Sequence, residues 1–212
     1  MLQIAPLTGT IGAEVSGVDL ADDLDETVIE ELREVLLEWK VVFFRDQDIT
    51  TEQHLNFGRR FGALEIFPFA PGKPGYPEVL AITHNEKNRG RENTWHSDVT
   101  WREKPSLGSI LRAIEVPPVG GDTMFADMYA AYDGLPGEIK TRIDGCVAIH
   151  DFPHIRRDKR KRGASEAEIE ALVKAYPKVE HPVVRTHPET GRKGLYVNAA
   201  FTQSIVGFEP EE

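Results

Sequence analysis

The chain has 212 residues, 40% hydrophobic and 28% charged, which fits one globular domain and excludes an intrinsically disordered chain. A formal net charge of −10 disfavours nucleic acid and anionic membrane as partners. No apolar run is long enough to span a bilayer and the N-terminus shows no secretory pattern. The lone Cys146 rules out an internal disulfide, so the expected compartment is a reducing cytoplasm.

Ile11 to Val15 alternates weakly and predicts a short strand. Val28, Leu32, Val35, Leu36 and Trp39 recur at helical spacing with charged residues between them. They predict an amphipathic helix of about four turns whose apolar stripe is core. Val41 to Phe44 predicts a buried strand. Thr50 or Thr51 opens a second helix, with Gln53 completing a capping box on Thr50. It turns Leu55 and Phe61 inward and stops at Gly62. Proline and glycine make 68–77 irregular. Val79 to Ile82 predicts a strand. Asn85 to Asn93 is a polar, glycine-containing loop that could act as a lid over an adjacent site.

That loop leads into Trp95-His96-Ser97-Asp98-Val99-Thr100. On an extended strand, side chains two residues apart share a face, so His96 and Asp98 would converge on one point. One imidazole and one carboxylate supply two corners of a metal site. A second histidine from elsewhere would complete the 2-His-1-carboxylate face of non-haem Fe(II) oxygenases. Taken alone the spacing favours the structural reading, a hydrogen-bonded His–Asp pair on a strand.

Ser109 to Ile114 predicts a strand, followed by a turn at Pro117 to Gly121 and a further strand from Asp122 to Phe125. Asp127 caps a short helix, Met128 to Tyr132. Pro136 starts another that ends near Asp144-Gly145. Cys146 to His150 predicts a strand. Arg156 to Arg162 is strongly basic and reads as a solvated loop. Ser165 with Glu168 forms a capping box for a helix through Ala175. Val179 to Arg185 and Leu195 to Asn198 predict strands around a turn at His187 to Gly191. There is no internal repeat and no low-complexity segment. Short strands, few helices and frequent Pro/Gly turns predict a mainly β, α+β chain: an antiparallel double-sheet core with helices outside it.

Several stretches in consistent order from about residue 9 to residue 207 resemble the taurine dioxygenase family of Fe(II)/2-oxoglutarate-dependent oxygenases. They are Ile11 to Leu20, Phe44-Arg45-Asp46-Gln47, Arg60-Phe61-Gly62, Trp95 to Thr100, Gly120-Gly121-Asp122-Thr123, His181 to Gly191 and Tyr196 to Thr202. The resemblance implies a double-stranded β-helix (jelly roll) in a single domain over 1–212. It implies Fe(II) as metal, 2-oxoglutarate as co-substrate and O2 as oxidant, with a small anionic organic substrate hydroxylated and succinate and CO2 released. His96 and Asp98 match the first two iron ligands, and Thr123 matches the residue whose hydroxyl takes a carboxylate of 2-oxoglutarate. Phe201 matches an aromatic residue lining the substrate pocket, and Val99 a residue beside the substrate. A homo-oligomer is compatible with all of this.

The departures are informative. The family's third ligand, a histidine far downstream, and the arginines after it would fall beyond residue 212. The expectation is an incomplete jelly roll that lacks its C-terminal strands, carries two of three ligands and binds iron weakly. None of His150, His154, His181 or His187 occupies the matching position. His181 and His187 read as structural, and His150 as a residue that could border the pocket. Where taurine-specific members carry a histidine and a tyrosine, this chain has Phe67 and Ala70, and Glu92 replaces an asparagine ahead of the first ligand. Losing polar donors changes substrate preference, so the expected acid is not taurine itself but a larger sulfonate, a sulfate ester or a carboxylate. Two other readings stay open: a metal enzyme of another class using His96 and Asp98, and an inactive or truncated fragment acting as a binding module.

Overall fold

The computed structural model describes residues 1–85 and 94–209. The chain divides into two compact units, Met1–Ala81 with Ile110–Ala130, and Ile82–Ser109 with Ala131–Glu212.

In the first unit, Asp25 stays extended and its carboxylate accepts the Val28 amide at 2.9 Å, which opens α1 (Glu26–Trp39). The helix closes on Lys40 in the left-handed region, φ 64°, whose amide returns to the Leu36 carbonyl at 2.7 Å. Ile29, Leu32 and Val35 form its buried stripe. They pack with Leu2, Val15, Leu20, Ile49 and Phe57 into the core of this unit. Burying a side chain such as Leu32 contributes about 1.5–3 kcal/mol. Strand β1 (Gln3–Pro6) runs antiparallel to β2 (Ala13–Ser16), which pairs in parallel with β3 (Val42–Phe43). Gly17, φ 82°, has to be glycine: a Cβ there would stand 2.8 Å from the Met1 carbonyl oxygen. Helix α2 (Thr51–Arg59) starts with the expected capping box, Thr50 Oγ1 accepting the Gln53 amide at 3.2 Å and Gln53 Oε1 accepting the Thr50 amide at 2.7 Å.

Helix α3 (Met128–Asp133) follows Asp127, whose Oδ1 accepts the amides of Tyr129 and Ala130. In the second unit come α4 (Gly137–Ile143), β4 (Val147–His150), α5 (Pro153–Lys161) and α6 (Glu166–Ala175). They are followed by β5 (Val179–Pro182), β6 (Val184–Thr186), β7 (Lys193–Leu195) and β8 (Thr202–Ile205). β4 is the centre of an antiparallel sheet of order β5-β4-β8, and β6 and β7 form a separate hairpin. Ile143, Ala148 and Val183 are the buried centre of this unit's core. The β4–β8 register shifts between Ile149 and His150, and His150 pairs with Thr202. Such a bulge re-aims the side chain next to it.

Five sequence expectations are corrected. Residues 79–82, 109–114 and 122–125 are irregular, not strands, and they have no ladder partner among the described residues. Leu111 and Ile114 are 78% and 79% exposed. A short apolar run becomes a strand only when a neighbour accepts its backbone bonds, and that information is not local. The basic run from Arg156 is helical: it lies in α5, which Pro153 opens at its first turn. The Trp95 to Thr100 stretch is likewise no strand; it is irregular through Ser97 and then a turn. The polar loop expected before it, Asn85 to Asn93, lies outside the described residues from 86 onward.

Candidate functional site

His96 and Asp98 do converge, but a turn brings them together. The His96 Nδ1 lies 2.8 Å from the Thr94 carbonyl. A carbonyl can only accept, so Nδ1 carries the hydrogen and the neutral ring presents its lone pair at Nε2. That nitrogen faces Asp98 Oδ1 at 3.4 Å. The other carboxylate oxygen, Oδ2, accepts Ser109 Oγ at 3.0 Å. Two acceptors thus point at one place, each held from behind by a hydrogen bond. A cation between them relieves their repulsion. Two ligands at about 2.1 Å from one ion and at right angles stand about 3 Å apart, close to what is seen here. Back-bonding of a ligand histidine to a carbonyl is the usual arrangement at metal centres. The pair therefore fits a divalent metal as two adjacent ligands. Among the described residues no group of three or more His, Cys, Asp or Glu gathers to hold an ion.

The turn is strained. Val99 has φ 51°, a conformation that β-branched residues rarely adopt. The Arg102 amide bonds the Val99 carbonyl at 3.0 Å and closes it. Exposure changes abruptly here: Trp95 is 56% exposed, while Thr100 and Trp101 are 1% and 2% exposed. The Trp101 ring packs edge-on against Phe152 at 5.1 Å and Tyr176 at 5.3 Å. The Arg102 guanidinium lies over the Trp101 ring at 4.9 Å.

Phe201 is buried, and its ring meets the His96 ring edge-on at 6.4 Å. The His154 ring also lies near it, tilted, at 5.2 Å. Burial, with Arg157 and neighbouring His96 adding to it, outweighs Asp158 and the Ala200 backbone bond and holds His154 below the ordinary histidine range. Beneath the turn lies a polar cluster. His150 is fully buried, with Nδ1 3.0 Å from Thr100 Oγ1 and Nε2 3.2 Å from Thr202 Oγ1. Asn198 Nδ2 donates to Thr100 Oγ1 at 3.0 Å, and its Oδ1 accepts the Phe201 amide at 2.9 Å. Burial, reinforced by neighbouring His181, pushes His150 down to about 4, so it is neutral at ordinary pH. His181 bonds the Arg102 carbonyl at 2.8 Å.

The structure therefore gathers His96, Asp98, Val99 and Phe201 in the second unit. Thr123 and Phe67 belong to the first. Thr123 is exposed and comes after Gly120 and Gly121, both at positive φ, 79° and 75°, as the predicted turn requires. Phe67 is half-buried and meets Phe69 edge-on at 5.4 Å. Glu92 lies outside the described residues. Sequence reasoning gives no role to His154, Thr100 or Asn198. Thr100 and Asn198 lie within quoted motifs, yet nothing local shows that they touch across 98 positions.

Comparison with known proteins agrees in family. The profile described as taurine catabolism dioxygenase TauD, TfdA family matches residues 3–212. The alkylsulfatase of Acinetobacter baylyi is 36% identical over 217 residues, covering 100% of this chain and 67% of that protein. The (S)-phenoxypropionate/alpha-ketoglutarate-dioxygenase of Sphingobium herbicidovorans is 36% identical, covering 99% and 74%. A taurine dioxygenase from Burkholderia xenovorans has a similar structure, with a TM-score of 0.80 at 37% identity, covering 99% of this chain and 68% of that one. The expected fold class holds: the chain has the α+β, jelly-roll fold of these dioxygenases.

Proposed function

Because the chain belongs to the TauD/TfdA family of 2-oxoglutarate-dependent dioxygenases, we propose that it hydroxylates a small organic acid with Fe(II), 2-oxoglutarate and O2, releasing succinate and CO2. The observation that carries this reading is the His96–Asp98 pair, two acceptors 3.4 Å apart and each braced from behind. His96 Nε2 and Asp98 Oδ1 would hold the iron, and the Thr123 hydroxyl would take a carboxylate of 2-oxoglutarate. When bound, the iron and 2-oxoglutarate supply the activated oxygen that a protein side chain cannot.

The chain's own residues do the positioning. The Thr94 carbonyl fixes the His96 tautomer, and Ser109 leaves one Asp98 oxygen free for the metal. Phe201 sets an apolar ring edge-on beside the His96 imidazole, 6.4 Å away. Val99, Phe67 and Glu92 are assigned to substrate selection. Relatives named for a sulfate ester and a phenoxypropionate support a substrate class of sulfonates, sulfate esters and carboxylates larger than taurine. The net charge of −10 supports a small-molecule partner over nucleic acid or an anionic membrane. Among the described residues no helix is long and apolar enough to cross a membrane. The lone cysteine supports a reducing cytoplasm.

Anaerobic titration with Fe(II) and 2-oxoglutarate tests the assignment. A weak visible charge-transfer band is expected from the wild type, and its loss in His96→Ala and Asp98→Ala. A band that survives both substitutions refutes the ligand assignment. In a panel of sulfonates, sulfate esters and aryloxy carboxylates, taurine is expected not to be the best substrate, and taurine as the best would refute the substrate reading.

A further inference from the structure

The Asp98 carboxylate sits on an exposed, strained turn, and such a turn holds only if something over-determines it. Its anchor lies one residue past Val99. Thr100 is 1% exposed, and its hydroxyl meets His150 Nδ1 and Asn198 Nδ2, both at 3.0 Å. Neither partner is free to drift. His150 is tied at its other nitrogen to Thr202, and its ring lies nearly parallel to Tyr196, 16° apart. Asn198 accepts the Phe201 amide, so its amide orientation is set by the network itself. Thr202 in turn accepts the Asn198 amide at 3.0 Å. One asparagine therefore ties the turn carrying Asp98 to the backbone of Phe201, whose ring faces His96.

We propose that Thr100, His150 and Asn198 are positioning residues: their buried hydrogen bonds lock the left-handed Val99 turn and so aim the Asp98 carboxylate at His96 Nε2. The consequence for metal binding rests on the His96–Asp98 reading above; the consequence for the turn does not. A neutral His150 and a correctly turned Asn198 each lose a partner when the hydroxyl is removed, which leaves buried polar groups unpaired. Removing groups that orient a ligand typically weakens metal binding tenfold or more.

The test compares Thr100→Val, Thr100→Ser and Asn198→Ala with Ile169→Ala. The last empties a buried position in α6 outside the network. Two quantities are read: hydrogen exchange of the Arg102 amide, which closes the turn, and anaerobic affinity for Fe(II) alone. Thr100→Val and Asn198→Ala should exchange about tenfold faster and bind Fe(II) about tenfold more weakly. Thr100→Ser should restore both, and Ile169→Ala should lose stability with neither change. If Thr100→Val does not fold, Asn198→Ala carries the same comparison. Wild-type exchange and affinity in folded Thr100→Val, or in Asn198→Ala where Thr100→Val does not fold, overturn the proposal, as does an equal response to Ile169→Ala. A wild type that binds no Fe(II) refutes the metal reading, and the exchange result still decides the turn.

Discussion

Asp151 is 3% exposed, and both of its oxygens meet the Arg156 guanidinium across the start of α5. Burial alone would raise its pKa, but the bidentate arginine and the Phe152 amide outweigh burial and hold the carboxyl below the usual range. Breaking a buried pair from one side leaves an uncompensated charge. Arg156→Ala should therefore cost about 3–5 kcal/mol in urea denaturation at neutral pH. Arg156→Lys should recover only part of this, because a lysine cannot bond both oxygens. The proximity of His96 and Asp98 is legible in sequence because only Ser97 separates them and almost any backbone path keeps them near. Their support is not, since Ser109 and Thr100 acquire their partners only through tertiary contacts.

Helix starts are the most legible elements, because a cap is decided within four residues. Ser165 and Glu168 close the α6 box as the sequence reads, with Ser165 Oγ accepting the Glu168 amide at 3.3 Å and Glu168 Oε2 accepting the Ser165 amide at 2.7 Å. Ser165→Ala should lower stability by about 1 kcal/mol, and Ser165→Asp should retain most of it, both measurable as shifts in urea midpoint. Strands are less legible. Residues 109–114 and 147–150 carry similar apolar patterns, yet only the second finds neighbours, β5 on one side and β8 on the other. The basic run of α5 misleads in the opposite direction. Arg156 pairs with Asp151 and Arg160 with Glu166, so the charges are partnered on a helix and not dispersed along a loop.

Stability against acid belongs to the folded chain as a sum of its buried groups. His150 protonates at about 4 when folded and at about 6.5 when unfolded. The unfolded chain takes up its proton first, so stability is full above 6.5 and falls as the pH drops toward 4. Between pH 7 and pH 5 this group alone should remove about 2 kcal/mol, seen in urea unfolding at the two pH values. His150→Gln should flatten that slope. The shift of His154 acts in the same direction. Asp151 contributes further down: its paired carboxylate is stabilising above the ordinary aspartate range and ceases to be so as its folded pKa is passed. The steep change in exposure along the motif has an optical consequence. Trp95 lies open to solvent beside His96, Trp101 is sealed among aromatic rings, and Trp39 is half-buried at the end of α1. A dissolved collisional quencher reaches the first indole and not the second. The native emission therefore separates into a part that senses the ligand pair and a part that senses the core, with no label added.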